Sequence, residues 1–157
     1  MAFDIGATLH AMETYCQKLG LFSTVQIGEP KQPPGQGIHA AIFMNNVAIS
    51  MIYAGGDTRE SHLVTLRVYK DMLAEQSDPQ ANLESEMASV MSKLMGELLG
   101  DTDLESTVMS IDAAGMDGAN MTANFGYTDV SGTLYRVADI TVPLIVNGSA
   151  TLTGTGV

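Results

Sequence analysis

One stretch decides the fold class of this 157-residue chain: Tyr135-Arg136-Val137-Ala138-Asp139-Ile140-Thr141-Val142-Pro143-Leu144-Ile145-Val146-Asn147. Apolar and polar residues alternate along it up to Pro143, which is the period of a β-strand with one buried face. Because Pro143 has no N–H to donate to a neighbouring strand, the sequence predicts a sheet edge or a bulge there. The run therefore predicts a long strand near the end of the chain.

Two amphipathic helices are predicted. The apolar residues of the first recur at spacings of three and four and stop before Gly20: Ile5, Leu9, Met12, Cys16 and Leu19. The second is predicted to begin with Asp78 as its cap and Pro79 as its first residue, and to end at Gly100. Its predicted buried stripe consists of Leu83, Met87, Val90, Leu94 and Leu98.

The other apolar segments predict strands. They cover Leu21–Ile27 as a short strand, then Ile38–Tyr53 and Arg59–Leu73 joined by a short turn, then Ser106–Asp112, Asn120–Tyr127 and, after a turn at Thr128–Gly132, Thr133–Val146. Within the second long strand, Val64, Leu66 and Val68 are predicted to face the core. The order helix, strands, helix, strands predicts a single-domain α+β fold with two helices on one face of a mostly antiparallel sheet and with long β-hairpins.

Domain boundaries follow from length and composition. At this length one domain buries about 70% of the surface of its unfolded chain. We predict an α+β domain over residues 1–147 and an extended Thr/Gly-rich C-terminal arm over residues 148–157, with few apolar side chains to bury.

The net charge of −11 excludes several partners. It argues against wrapping nucleic acid, which needs a basic surface, and against binding an anionic membrane surface. The start of the chain lacks the basic region and the small-residue cleavage site of a signal peptide, and the longest apolar segment is too short to span a bilayer. Cys16 has no second cysteine to pair with, so we expect synthesis in a reducing cytoplasm.

Catalytic and metal-binding patterns are missing from the sequence, and no enzyme and no cofactor are predicted. Cys16 lies in an apolar stripe and is expected to be a buried thiol. The histidines His10, His39 and His62 lack the close spacing of metal ligands. Asp101, Asp103 and Glu105 alternate like the start of a calcium loop but lack its glycine and its distal glutamate, and Asp112 and Asp117 follow further along. Solvated loop charge is the preferred interpretation of these carboxylates.

Met91 and Met95 lie beside the predicted stripe of the second helix. Methionine fills irregular gaps in cores and also serves adaptable contact surfaces. Core filling is the default, and a second apolar face that docks a neighbouring subunit is the alternative.

Three segments are predicted to make intermolecular contacts because their composition favours exposure. The first is the Pro/Gly-rich loop between the first two strands, which we expect to project from the domain, and the others are the tip of the long hairpin and the C-terminal arm. The predicted contact residues are Glu29, Pro30, Lys31, Pro33, Pro34 and Gly35 in the loop, Gly55, Gly56, Asp57 and Arg59 at the hairpin, and Thr151, Leu152 and Thr153 in the arm.

Several of these segments resemble the tail terminator proteins of long-tailed, siphovirus-type bacteriophages, especially those of phages that infect actinobacteria. The matching pieces are Gly20-Leu21-Phe22, Glu29-Pro30-Lys31 with Pro34-Gly35-x-Gly37, Ala40-Ala41, Arg67-Val68-Tyr69, and above all Gly132-x-x-Tyr135-Arg136-Val137-x-x-Ile140-Thr141-x-Pro143-Leu144-Ile145-Val146-Asn147. The resemblance extends over nearly the whole chain up to Asn147.

The resemblance implies a structural virion protein. Such proteins form a ring, usually a hexamer, on the head-proximal end of the tail tube, where they end polymerisation and provide the joint to the head connector. The implied partners are copies of this chain, the tail-tube protein and head–tail connector proteins, with DNA passing only transiently through the channel. Localisation in the phage tail, after synthesis in the host cytoplasm, follows from the same resemblance.

Two alternatives stay open at the level of sequence. The first is a tail-tube or head–tail connector protein of the same virion, which composition barely separates from a terminator. The second, from a different class, is a small domain that binds a divalent cation through the carboxylates between Asp101 and Asp117.

Overall fold

The computed structural model describes residues 4–72, 79–100 and 110–151, with side chains described over 4–72, 83–100 and 110–147. Its elements in chain order are α1 (Ile5–Leu19), β1 (Thr24–Ile27), β2 (Ile38–Ile52), β3 (Asp57–Asp71), α2 (Pro79–Gly100), β4 (Ser110–Ile111), β5 (Thr122–Val130) and β6 (Thr133–Thr151). The predicted α+β class with two helices is confirmed. No helix in these ranges is long and apolar enough to cross a membrane.

The six strands form one sheet in the order β1-β2-β3-β6-β4, with β5 also pairing β6. β1 runs parallel to β2, and the other pairings are antiparallel. β2, β3 and β6 form the centre of the sheet, because β3 pairs along nearly its whole length with β2 on one side and β6 on the other.

Both helices pack on one face of this sheet. α1 begins after Asp4, whose side chain accepts a hydrogen bond from the N–H of Ala7, and it ends at Leu19, where Gly20 caps it with a left-handed φ of 67°. The predicted stripe of α2 is buried without exception, and Met91 joins it. Met95 packs half-buried against the same core, so core filling is the role that the structure gives to both methionines.

The core on the helix side is continuous across the sheet. Val64, Leu66 and Val68 are fully buried there, as the alternation predicts. The residues between them belong to the opposite face, which carries a second, smaller apolar cluster of Ala41, Tyr69, Val130, Tyr135 and Val137. The ring centroids of Tyr69 and Tyr135 lie 6.1 Å apart in an edge-to-face arrangement.

Pro143 corrects one prediction, because it lies in the interior of the sheet. It pairs with Leu63 of β3, and its carbonyl oxygen accepts a hydrogen bond from the N–H of Asp112 on the other side. On that side β5 pairs with β6 as far as Thr141, and β4 begins to pair at Leu144. Pro143, which lacks an N–H, therefore lies at the point on β6 where the neighbouring strand changes from β5 to β4.

Several boundaries differ from the predicted ones. The predicted turn at Thr128–Gly132 shrinks to two residues, since β5 continues to Val130, and β6 continues through Asn147 as far as Thr151. Of the strand predicted over Ser106–Asp112, the structure describes Ser110–Ile111 as β4, and residues 106–109 lie outside the described part. The predicted cap Asp78 lies outside it as well.

Candidate assembly surface

The Pro/Gly-rich loop after β1 lies across the face of the sheet that the helices leave open. The N–H of Gly35 donates to the hydroxyl of Tyr135 at 3.1 Å, and the hydroxyl of Ser131 donates to the carbonyl oxygen of Lys31 at 2.8 Å. The loop is thus fastened at two points to residues about a hundred positions away. The expectation that the loop projects from the domain is therefore wrong, although Glu29, Lys31 and Pro33 remain exposed.

Arg67 is the charged centre beneath this loop. Its guanidinium binds both carboxylate oxygens of Asp139, at 2.7 and 2.9 Å, and contacts Glu29 at 3.2 Å. The same group stacks over Phe43, 5.3 Å from the ring centroid. The hydrogen bonds to Asp139 raise the pKa of Arg67, which therefore stays charged.

A cleft of about 150 Å³ lies between the loop and the β5–β6 turn. Its lining is polar and of mixed charge, with Glu29, Lys31, Arg67 and Asp129 among the contributing residues. Sites for small molecules are usually larger, at roughly 300–1,000 Å³, and mostly apolar. The cleft therefore does not suggest a substrate site.

His39 has a structural role that sequence inspection did not reveal. Its ring Nε2 donates to the carbonyl oxygen of Gln36 at 2.8 Å, and Nδ1 lies 2.7 Å from the hydroxyl oxygen of Thr24. The buried ring joins the loop, β1 and β2. A hydrogen-bonded core histidine is the interpretation that these contacts support.

The carboxylates of Asp112 and Asp117 bind protein groups. Both oxygens of Asp112 accept backbone hydrogen bonds at 2.8 Å, from the N–H groups of Met116 and Asp117. Asp117 in turn binds the guanidinium of Arg59 and the hydroxyl of Ser50. Within the described ranges no group of three or more His, Cys, Asp or Glu side chains could hold a metal ion; Asp101, Asp103 and Glu105 lie outside them.

The tip of the β2–β3 hairpin includes four of the predicted contact residues. Gly55 is exposed, Gly56 has a positive φ of 89°, and the carbonyl oxygen of Asp57 accepts a hydrogen bond from the N–H of Tyr53. The fourth, Arg59, forms an ion pair with Asp117 and so connects the hairpin to the loop after β4. In the arm, Thr151 is the last residue of β6, and Leu152 and Thr153 lie outside the described part.

The most distinctive surface is the outer half of β2, from Phe43 to Ile52. β1 pairs with β2 as far as Ile42, and in the described part of the chain no strand covers that side beyond it. Large apolar side chains are about half exposed there, namely Val47, Ile49, Met51 and Ile52. Residues 43–56 also include no charged side chain. We call the segment Phe43–Ile52 the neutral edge.

A second exposed edge lies on the opposite side of the sheet. Among the described strands β5 pairs with β6 alone, so its other side is open. Phe125 and Tyr127 are about half exposed on it, and the Arg136 guanidinium lies 5.7 and 4.6 Å from their ring centroids. Residues 118–128 carry no charged side chain. We call β5, Thr122–Val130, the aromatic edge.

Exposed apolar strand edges of this kind are unusual in monomers. Most soluble proteins protect a sheet edge with charged residues, prolines or a covering element, because an open row of N–H and C=O groups pairs with other chains. Sequence inspection did not single out these edges. The absence of charge over residues 43–56 was the available signal, but both faces of a strand can be apolar when it is buried.

Comparisons with known proteins add little to this geometry. No protein-family model matches the sequence, and no curated protein does either. Among solved structures, the chain is similar to the sheath/tube terminator of an extracellular contractile injection system, PVC, in the extended state, at 14% identity and a TM-score of 0.42. The match covers all of this chain and 62% of that one, so the present chain spans less than two thirds of its length.

Proposed function

We propose that this chain is a structural tail protein that closes, in several copies, into a ring on the head-proximal end of a bacteriophage tail tube. The ring ends tube polymerisation and provides the joint to the head connector. The observation that carries the proposal is the pair of apolar, open sheet edges, which lie largely within the uncharged stretches 43–56 and 118–128 of a chain whose net charge is −11. Chains that repel one another through most of their surface can approach where charge is absent.

The physical demands on a tube cap agree with such a surface. The end of a growing tube exposes contacts that template the next ring. A cap binds those contacts on its lower side and offers a different surface on its upper side, so that no further ring can add. Head-to-tail contacts between its copies form a closed ring when the rotation from one copy to the next is a whole-number fraction of a full turn. A hexamer is our preferred ring size, taken from the resemblance to tail terminators.

The acidity has a role in the same proposal. Carboxylates that face a central channel would repel DNA within a Debye length of about 8 Å and keep it from adhering during passage. We expect that reversing the sign of channel-facing carboxylates slows genome ejection. Unchanged ejection rates would contradict this part of the proposal.

The second candidate is a tail-tube or connector protein of the same virion, which the open edges favour equally. Electron microscopy of the purified protein, alone and with tail tubes, separates the candidates. A terminator forms small closed rings and decorates one end of each tube, whereas a tube protein forms long filaments. A monomer that binds no virion component would contradict both.

A further inference from the structure

The neutral edge and the aromatic edge have compatible directions. Successive antiparallel pairings of β2 with β3, β3 with β6 and β6 with β5 make β2 and β5 run in opposite directions. A second copy in the same orientation would therefore have its β5 antiparallel to β2 of the first. Through His62, Val47 is level with Leu144 of β6, whereas Tyr127 is level with Arg136, so the second copy must also be displaced along the strands by the eight residues between Arg136 and Leu144 to bring its β5 beside the neutral edge. The helices of both copies would then lie on the same side of one continuous sheet.

The two edges also have compatible side chains on the helix side. Val47 and Ile49 pair with His62 and Glu60 of β3, which share the face of Val64 and Leu66. Phe125 pairs with Ala138, a member of the core on that same side, and Tyr127 follows two residues later. Aliphatic side chains on one edge thus face the same way as aromatic side chains on the other.

We propose that the neutral edge of one copy pairs antiparallel with the aromatic edge of the next, with Val47 opposite Tyr127 and Ile49 opposite Phe125. The proposal deepens the proposed function, since it rests on self-association and names the surfaces that carry it. Aromatic and β-branched residues form favourable cross-strand pairs. One contact of this kind covers both open edges.

The bulges of β2 fit the same register. Its pairing with β3 shifts by one residue between Met44 and Asn46 and again between Ile49 and Met51. A one-residue shift after Ile49 brings Ile52 opposite Ala123, which also lies on the helix side, so apolar pairs continue past the bulge.

A head-to-tail contact accounts for the surfaces better than a two-fold one. Pairing of two neutral edges would leave both aromatic edges open, and pairing of two aromatic edges would leave both neutral edges open. A heterologous contact leaves no open edge once the ring closes. The surrounding surface also favours contact at these edges, since residues 43–56 and 118–128 add no charge to the repulsion between copies.

Engineered disulfides test the pairing directly. We expect Ile49→Cys mixed with Phe125→Cys to give a cross-linked dimer under oxidising conditions, because facing residues in antiparallel strands lie within disulfide range. The double variant should give a ladder of linked copies. Native Cys16 is buried and does not compete. Ile49→Cys paired with Thr128→Cys is the control, because Thr128 lies on the other face and out of register.

The cross-linking outcomes separate this inference from the proposed function. Rings without cross-links would overturn the pairing and leave the ring proposal standing, whereas a ladder in open filaments would support the pairing and overturn the cap. Dimers from Ile49→Cys alone, or from Phe125→Cys alone, would show a two-fold contact and overturn the pairing. A protein that stays monomeric overturns both.

A lysine substitution tests the same contact without new covalent bonds. Ile49→Lys should abolish the ring peak in size-exclusion chromatography, because it buries a charge between strands. Leu99→Lys is the matched control, since Leu99 has nearly the same exposure, 53% against 56%, and lies on α2. Rings that survive Ile49→Lys, or that Leu99→Lys also disrupts, would overturn the proposed contact. Thermal unfolding of both variants shows that each is folded.

Discussion

Arg67 is the residue on which the open face of the sheet depends. It forms a bidentate ion pair with Asp139 of β6, contacts Glu29 of the loop and stacks on Phe43 of β2. Three segments distant in sequence thus converge on one side chain. A lysine could supply the charge at this position but not the planar fork or the stacking.

We expect Arg67→Lys to destabilise the protein by roughly 1–2 kcal/mol, since it loses one charge-assisted hydrogen bond to Asp139 and the contact with the ring. Asp139→Asn should cost a similar amount, and the double variant should cost less than the sum of the two. Urea unfolding monitored by circular dichroism measures all three. Strictly additive losses would show that the two side chains do not act as a pair.

Cys16 provides a prediction of pH dependence. Burial, assisted by the nearby Glu13 carboxylate, raises the pKa of its thiol from 9.0 to about 12. The folded state therefore holds the proton more tightly than the unfolded chain, and this contribution to stability is complete below pH 9 and lost as the pH rises toward 12. At about pH 10.5 the loss is about 2 kcal/mol.

Cys16→Ala removes this contribution. Its free energy of unfolding should fall less steeply than that of the original chain between about pH 8 and about pH 10.5, although its stability at neutral pH is lower because of the cavity it leaves. Tyr69, whose pKa burial also raises, is present in both proteins and cancels in the comparison. Equal slopes would mean that Cys16 does not titrate on unfolding in this range.

At the scale of elements, the β5–β6 turn sets the register of the aromatic edge. Ser131 and Gly132 both have positive φ, 50° and 91°, which is the geometry of a two-residue hairpin turn that matches the strand twist. The N–H of Gly132 donates to the side chain of Asp129 at 2.8 Å, and Ser131 also fastens the loop through Lys31. The turn therefore positions both β5 and the loop.

Gly132→Ala should destabilise the fold by about 1 kcal/mol, because a side chain is strained at that φ. Gly55→Ala is the matched control, since Gly55 lies at the other hairpin tip without a positive φ and with open space around it. Thermal unfolding of both variants measures the difference. A control as unstable as Gly132→Ala would show that the loss does not come from the backbone conformation.

The elements that the sequence predicts well are those with a local cause. The stripe of α2 and the alternation of β3 are visible in the spacing of apolar residues, and both are buried as expected. The predicted sheet edge or bulge at Pro143 is wrong because the preference of proline for edges assumes that a strand has one neighbour along its whole side. At Pro143 the neighbour of β6 changes from β5 to β4. The hydrogen bond between Gly35 and Tyr135 joins residues a hundred positions apart, and no local sequence pattern predicts it.

At the scale of the molecule, charged residues are distributed unevenly along the chain. Eighteen acidic and seven basic residues give the chain its charge, yet residues 43–56 and 118–128 include none of them. Cations that stabilise the fold are largely used internally, since Arg67 binds Asp139, Arg59 binds Asp117 and Arg136 binds Glu84. The net charge of −11 therefore lies on the rest of the chain, and we expect copies to repel one another least at residues 43–56 and 118–128.

This balance predicts how salt affects assembly. If neutral edges hold copies together against mutual repulsion, screening removes the repulsion and leaves the edge contact unchanged. Self-association should therefore be weaker at an ionic strength of about 0.01 M, where the Debye length is about 30 Å, than at about 0.15 M, where it is about 8 Å. Analytical ultracentrifugation across this range measures the association constant. Association carried by ion pairs between copies would show the reverse dependence and would place the contact on charged surfaces, away from β2 and β5.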